Sequence, residues 1–145
     1  MNRGRNLILE TDGACRGNPG LAGAGIIIKD AQGRVLETLG NFLGVTTNNQ
    51  AEYKALIAGL EAVKRYEPQS LRVHSDSELM VKQMNGQYQV RNPSILPLYL
   101  EAMEIAESLP RVDFEHVRRD KNYQADRVAN LAIDSRGRRV ALDEE

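Results

Sequence analysis

Residues 6–11 predict a first β-strand, with Leu7, Leu9 and Thr11 on one face and Ile8, Glu10 and Asp12 on the other. The isoleucines at 26–28 predict a second strand over residues 22–30, because β-branched side chains favour an extended backbone. Residues 35–44 predict a third strand, and the intervening residues 30–34 have the composition of a turn. The short connections favour antiparallel hairpins for these three strands.

The hydrophobic period becomes helical after residue 46. Apolar residues recur at helical spacing from Leu56 to Val63, which predicts a helix within residues 46–68 that ends before Pro68. Two more strands and three more helices are predicted in the order strand, helix, helix, strand, helix: residues 70–77, 77–86, 96–109, 111–117 and 122–137, the last ended by Gly137. Hairpin strands followed by alternating helices and strands predict an α/β fold, with a mixed sheet and helices on both faces.

Length and composition set the class of protein. The 145 residues predict one domain over residues 1–145, with a core of about 6–136 and a frayed tail at 137–145. The chain shows no signal peptide, no apolar run near the roughly 20 residues of a membrane span, and a single cysteine. We therefore expect a cytoplasmic protein without membrane contact. The net charge of −1 gives no support to a strongly basic nucleic-acid binder, although positive residues cluster at 118–121 and 136–139.

Four carboxylates occupy positions where ordinary structural roles compete with a functional one. Asp12 follows the first predicted strand, where an Asx-turn explains it. Glu52 fits a capping box with Asn49 as N-cap, but it also lies on the helix face that we expect to be buried, where an unpaired carboxylate is costly. Asp76 follows the fourth strand and suits a helix N-cap, and Asp126 suits the dipole of the last helix.

These four positions share a pattern that their local roles do not require. Two follow strands and two lie near helix N-termini, and such positions can converge on one edge of a sheet. Converging carboxylates repel one another unless cations neutralise them. Ligand sets made only of oxygen suit Mg²⁺ or Mn²⁺ rather than zinc, and two such ions can activate a water and stabilise the leaving oxygen of a phosphodiester. The pattern therefore indicates metal-dependent phosphodiester chemistry.

Four motifs along the chain together resemble those of type 1 ribonuclease H: TDGACRGNPG, TTNNQAEYKAL, VHSDSELMVKQMNGQYQVRNP and NYQADRVANLA. They occur in this order from about Leu7 to Ile133, so the resemblance covers nearly the whole chain. It implies a five-stranded mixed sheet and an endonuclease that hydrolyses the RNA strand of RNA–DNA hybrids. The products implied carry 5′-phosphate and 3′-hydroxyl ends.

The resemblance also implies the site residues. Asp12, Glu52, Asp76 and Asp126 would bind two divalent ions, Mg²⁺ or Mn²⁺, with Asp12 shared, Glu52 and Asp76 on one ion and Asp126 on the other. Five residues would contact the hybrid: Gly13, Gly17, Asn18, Asn48 and Asn49. Glycine lets the backbone approach a duplex closely, and asparagine offers donors and acceptors to base edges and 2′-hydroxyls.

The sequence departs from the pattern of many bacterial members in two places. The connection VRRDKN before the last helix lacks their loop histidine and resembles the archaeal-type branch, in which an arginine precedes the asparagine. Arg119 matches that arginine; it stays protonated, so it cannot act as a base, but it can hold a phosphate. A solvated surface arginine is the alternative. The segment after Asp76 lacks the basic insert, which predicts weaker and more salt-sensitive substrate capture.

Two alternative functions stay open on the sequence alone. A nuclease on the same scaffold could also cut double-stranded RNA, because both duplexes present an A-form minor groove. A non-catalytic module that binds hybrids would be natural if one carboxylate were missing, and all four are present. In each case we expect a monomer whose partner is the nucleic acid.

Overall fold

The sheet has five strands in the order β3-β2-β1-β4-β5 in the computed structural model, which describes residues 5–136. The strands are β1 (Asn6–Gly17), β2 (Gly20–Asp30), β3 (Val35–Thr46), β4 (Ser70–Ser75) and β5 (Val112–His116). β1, β2 and β3 form antiparallel hairpins, whereas β4 runs parallel to β1 and β5 runs parallel to β4. The predicted mixed sheet is confirmed.

Four helices connect and cover these strands: α1 (Asn48–Val63), α2 (Glu78–Met84), α3 (Leu96–Glu107) and α4 (Tyr123–Ser135). The order of elements matches the one predicted from the hydrophobic pattern. The predicted terminator Gly137 and the predicted tail at 137–145 lie outside the described residues. Within residues 5–136, no helix combines the length and the apolar character needed to cross a bilayer.

The first hairpin is longer than the hydrophobic pattern predicts. β1 continues to Gly17 rather than ending at residue 11, and β2 begins at Gly20 rather than at residue 22. Residues 12–22 show no alternation of hydrophobic and polar side chains, because most of them are glycine, alanine or polar. Gly17 makes the turn possible, since its φ of 104° lies in the left-handed region that favours glycine.

The two faces of the sheet are covered differently. One face, which carries Leu9 of β1 and Val73 of β4, packs on Leu56 and Leu60 of α1 and forms the main hydrophobic core. The opposite face packs on α4 over β1 to β3, with Ile27 of β2 in its smaller apolar cluster. Odd-numbered and even-numbered residues of β1 therefore point to different helices, as alternation requires.

Small residues let α4 lie directly on the sheet. A Cβ atom at Gly25 of β2 would lie 2.0 Å from the main-chain oxygen of Ala125 and 2.7 Å from the main-chain nitrogen of Ala129. Any side chain at Gly25 would push the helix away. Because Gly25 pairs with Asp12 in the β1–β2 ladder, this contact brings the first turn of α4 close to Asp12.

Candidate active site

Three carboxylates from distant parts of the chain meet at the end of the parallel strand pair. Asp12, Glu52 and Asp76 each place an oxygen within 4.8 Å of oxygens of the other two. The parallel pairing of β1 with β4 ends at Glu10 and His74, and β4 itself ends at Ser75. The cluster thus lies just beyond the carboxyl end of a parallel pair, a common position for ligand sites in α/β folds.

Asp12 lies within β1 rather than at its end, which corrects the expectation of a turn. It pairs with Gly25 on β2, while β4 on the other side of β1 no longer pairs at this level. The residue is 4% exposed, and no Asx-turn forms because the strand continues. Its carboxylate therefore sits in the gap that opens where β4 leaves the sheet.

Glu52 does not cap α1, contrary to the capping box expected from Asn49. The N-cap is Thr47, whose hydroxyl accepts from the main-chain nitrogen of Gln50 at 3.2 Å, and the Gln50 side chain completes the box. Because Thr47 and Gln50 form the cap, the carboxylate of Glu52 has no capping role. Its Oε1 accepts a hydrogen bond at 3.0 Å from the main-chain nitrogen of Gly13, beside Asp12.

The approach of α1 to β1 requires glycine at position 13. A Cβ atom there would lie 2.4 Å from the carbonyl carbon of Ala51 and 2.5 Å from the main-chain nitrogen of Glu52. Real Cβ atoms do not tolerate such distances to backbone, so any other residue would separate the strand from the helix. The absence of a side chain at Gly13 therefore lets α1 approach β1 closely enough to bring Glu52 near Asp12.

Asp76 lies in the connection between β4 and α2, and it does not cap that helix. Ser77 is the N-cap, accepting at 3.3 Å from the main-chain nitrogen of Met80. The Oδ2 atom of Asp76 is buried, and no donor within residues 5–136 hydrogen-bonds to it. Its nearest cation is the guanidinium of Arg119, with Nε 3.8 Å away and the arginine side chain 87% exposed.

Asp126 lies in the first turn of α4, as predicted, and approaches the cluster from the other face of the sheet. It lies near enough to Asp12 to help raise the pKa of that carboxyl, and it is not part of the closer group of three. The fully buried Asn122 anchors this turn, because its Nδ2 donates to the main-chain oxygen of Thr11 at 2.9 Å. Sequence reasoning missed Asn122, whose position before a helix suggests only a cap.

Burial and mutual repulsion disfavour the charged form of the carboxyls in this cluster. Burial, followed by the charges of Glu52 and Asp76, raises the pKa of Asp12 well above its usual range. Burial and the charge of Asp76 likewise raise the pKa of Glu52, although the Gly13 amide and Arg119 oppose the shift. Crowded carboxylates with an unpartnered buried oxygen form a donor set that fits a hard divalent cation.

The residues proposed for nucleic-acid contact lie at the same end of the sheet. Gly17 and Asn18 form the exposed β1–β2 turn, and Asn48 and Asn49 are exposed at the start of α1. The Oδ1 atom of Asn18 accepts from the main-chain nitrogen of Asn48 at 3.0 Å, which ties the turn to the helix. Gly13 is buried under α1, where it makes the packing contact described above, and its contact with a hybrid stays a prediction.

Comparison with known proteins places this architecture among the ribonuclease H-like domains. Residues 10–132 match the family model described as "Reverse transcriptase-like". Ribonuclease HI of Halobacterium salinarum is 36% identical over 133 residues, which cover 92% of this chain and 67% of that protein. The chain belongs to the type 1 ribonuclease H family.

Three solved structures agree with this assignment. RNase H1 of Halobacterium salinarum superposes with a TM-score of 0.86 at 35% identity, covering 90% of this chain and 98% of that one. LC11-RNase H1, solved in complex with an RNA/DNA hybrid, gives 0.87 at 39% identity with the same coverage. The N-terminal RNase H domain of a Mycobacterium tuberculosis protein gives 0.87 at 40% identity, covering 90% and 95%.

The chain corresponds to only part of some relatives. It is 40% identical over 138 residues to a bifunctional protein of Mycobacterium tuberculosis, covering 94% of this chain but 38% of that protein. The chain thus spans about two fifths of the length of that relative.

Proposed function

We propose that this chain is an endoribonuclease that hydrolyses the RNA strand of RNA–DNA hybrids. The observation that carries the proposal is the cluster of Asp12, Glu52 and Asp76 beyond the parallel pair, with Asp126 beside it. The hybrid-bound structure of LC11-RNase H1, a relative at 39% identity, supports the choice of substrate. The exposed asparagines at the same end of the sheet offer a surface for a duplex.

The four carboxylates are the residues that would hold divalent cations, Mg²⁺ or Mn²⁺. As the resemblance to type 1 ribonuclease H implies, Asp12 would be the shared ligand, with Glu52 and Asp76 on one ion and Asp126 on the other. The close group of Asp12, Glu52 and Asp76 supports this assignment. When bound, two such ions supply an activated water and stabilise the charge that develops on the leaving 3′ oxygen. The expected products carry 5′-phosphate and 3′-hydroxyl ends.

The protein's own residues prepare and orient this site. Asp12 and Glu52 retain protons more tightly than ordinary carboxyls in the cation-free protein, so ligand binding must release those protons. The hydrogen bond from the main-chain nitrogen of Gly13 holds Oε1 of Glu52 in place. Arg119 is exposed beside Asp76 and carries a permanent positive charge, so it can hold a phosphate without exchanging protons.

Substrate recognition is proposed to rely on shape and on 2′-hydroxyls. The side-chain amides of Asn48 and Asn49 carry both donors and acceptors, which suits the wide minor groove of an A-like duplex without strict sequence choice. Double-stranded RNA has the same wide minor groove, so the test below also measures its cleavage.

The test is cleavage of a short end-labelled RNA–DNA hybrid, with double-stranded RNA and DNA duplexes alongside. Each duplex is incubated with Mg²⁺, Mn²⁺ or excess chelator and with wild type, Asp12→Asn or Asp113→Asn. Asp113 is a matched control, because it is a half-exposed aspartate at the opposite end of the sheet. We expect cleavage within the RNA strand of the hybrid by wild type and Asp113→Asn, and loss of cleavage in Asp12→Asn or in chelator. Undiminished cleavage in excess chelator would contradict the proposal, as would tight hybrid binding without turnover in either metal.

A further inference from the structure

The side chain of Asn130 reaches back along α4 to Asp126, one helical turn earlier. Its Nδ2 donates to the main-chain oxygen of Asp126 at 3.0 Å and approaches the carboxylate Oδ1 at 3.4 Å. We propose that Asn130 is a positioning residue for Asp126, and that Arg16 fixes the direction in which the Asn130 amide points. The inference rests on the proposed function, because Asp126 is there one of the cation-binding carboxylates.

The direction of the Asn130 amide follows from the chemistry of its neighbours. Arg16 carries only donors, and its NH2 group lies 3.2 Å from Oδ1 of Asn130. A reversed amide would place NH₂ against the guanidinium and an oxygen against the carboxylate of Asp126, so both contacts would become repulsive. With Arg16 in place, the donor end of the amide must face Asp126.

Arg16 is itself held in place from two sides. Its NH1 group forms an ion pair with Asp134 at 2.7 Å, and its NH2 group also approaches the main-chain oxygen of Asn130 at 3.4 Å. These partners lie one and two helical turns after Asp126. The arginine therefore bridges successive turns of α4 rather than projecting freely into solvent.

The spacing of strand and helix explains why this arrangement fits. Asp12 and Arg16 lie on the same face of β1, about 13 Å apart at about 3.3 Å per residue. Asp126 and Asp134 lie on one face of α4, about 12 Å apart at about 1.5 Å per residue. Four residues of the strand therefore span about the same distance as eight residues of the helix. Asp12 lies beside Asp126 at one end of this stretch, and Arg16 lies beside Asp134 at the other.

Asp126 needs such support because it is only partly buried. A carboxylate on the first turn of a helix can turn away from the cluster, and ordering it on cation binding then costs conformational entropy. Asn130 restrains one oxygen before any ligand arrives. Partners that orient a ligand in this way commonly contribute about tenfold or more to metal affinity.

The experiment measures Mn²⁺ binding by titration calorimetry on the substrate-free protein, together with hybrid cleavage as a function of Mn²⁺ concentration. In Asn130→Ala we expect about tenfold weaker Mn²⁺ binding and a matching shift of the activity curve to higher Mn²⁺. At saturating Mn²⁺ the cleavage rate should return to within a few-fold of wild type. The melting temperature of the cation-free protein should stay close to that of wild type, since the residue is not part of the core.

Three further variants separate positioning from general damage to α4: Gln124→Ala, Arg16→Ala, and Arg16→Ala combined with Asn130→Ala. Gln124→Ala removes an amide from the same helix on the side that lines a groove against Thr38, and it should bind Mn²⁺ as wild type does. Arg16→Ala should weaken Mn²⁺ binding less than Asn130→Ala does. The protein that carries both substitutions should bind Mn²⁺ as tightly as Asn130→Ala alone. Such non-additivity is expected if Arg16 acts through Asn130.

The outcomes are distinguishable. Wild-type Mn²⁺ affinity in Asn130→Ala, or an equal loss in Gln124→Ala, would overturn the inference while leaving the proposed function intact. Failure of wild type itself to bind Mn²⁺ and to cut the hybrid would overturn the proposed function. If Asn130→Ala does not fold, Arg16→Ala decides by the same titration, and unchanged affinity there overturns the role of Arg16.

Discussion

The side-chain amide of Asn122 donates a hydrogen bond at 2.9 Å to the main-chain oxygen of Thr11, the residue before Asp12. Asn122 is fully buried, and its own main-chain oxygen accepts from the nitrogen of Asp126 at 3.2 Å. One residue thus connects the strand that carries Asp12 with the helix turn that carries Asp126.

Asn122→Ala should destabilise the protein, because the buried oxygen of Thr11 loses its donor. The expected loss is about 1–3 kcal/mol in the free energy of unfolding, measured by chemical denaturation. Asn85→Ala is the matched control, since Asn85 also donates to a main-chain oxygen, that of Phe114 at 3.1 Å, but is exposed. Equal losses in the two variants would show that burial of the bond is unimportant.

Asp12→Asn should stabilise the cation-free protein while abolishing hybrid cleavage. The amide is nearly the same size and is neutral at every pH, so it avoids the cost of burying a charge beside Glu52 and Asp76 or of taking up a proton on folding. We expect a gain of about 2 kcal/mol in chelator. Asp30→Asn provides the opposite case, because hydrogen bonds and charge from Arg34 lower the pKa of Asp30, and that variant should lose stability. A destabilised Asp12→Asn would assign this carboxylate a structural role.

The stability of the cation-free protein should fall with rising pH more steeply in wild type than in Asp12→Asn. The pKa of Asp12 is higher in the folded protein than in the unfolded chain, so the folded protein binds this proton more tightly. The stability that the proton contributes is therefore complete below the unfolded pKa of about 4. It is lost progressively as the pH rises toward the folded pKa of about 9. Denaturation in chelator at about pH 5 and about pH 8 measures the slope. Parallel slopes for the two proteins would contradict the raised pKa of Asp12.

Gly13→Ala should reduce both stability and cleavage, because the new methyl group would force β1 away from the backbone of α1 at Ala51 and Glu52. We expect a loss of about 3 kcal/mol or more in unfolding free energy, in the range of severe overpacking. Gly40→Ala is the comparison, since a Cβ atom there meets the movable side chain of Val128 first, at 3.2 Å. A Gly13→Ala protein as stable as Gly40→Ala would show that the strand–helix contact yields easily.

Arg119→Ala should slow hybrid cleavage on the order of tenfold, about 1.4 kcal/mol, without altering the melting temperature. The reason is its exposed guanidinium 3.8 Å from Asp76, where it can reach a phosphate. Arg118→Ala controls for general loss of positive charge, because that arginine pairs instead with Asp120 at 3.1 Å. Equal rates for the two variants would leave Arg119 as a surface residue.

Elements with strong periodicity could be predicted from the sequence, and their junctions could not. The strand rich in isoleucine and the helix that carries Leu56 and Leu60 lie where the β-branched residues and the helical spacing predict them. The sequence favours Asn49 as the N-cap of that helix, whereas Thr47 and Gln50 form the cap in the structure. Several polar residues in a row offer competing caps, and only the direction in which the chain enters the helix decides between them.

The site was partly visible in the sequence. The meeting of Asp12, Glu52 and Asp76 could be expected from their places after strands and at a helix start, and the motifs that resemble type 1 ribonuclease H support the same expectation. The supporting residues Asn122, Asn130 and Arg16 could not be found in this way. Their hydrogen bonds join segments more than 100 residues apart or depend on which way a side-chain amide points, and neither leaves a periodic signal.

The origin of the four carboxylates on β1, on α1, after β4 and on α4 ties ligand binding to completion of the fold. No partly folded chain that lacks either the first strand or the last helix can offer all four. A cation held by them would bind the native state alone and raise its stability by mass action, by about 2.7 kcal/mol at a free concentration one hundred times its dissociation constant. The melting temperature would then report the free cation concentration around the protein.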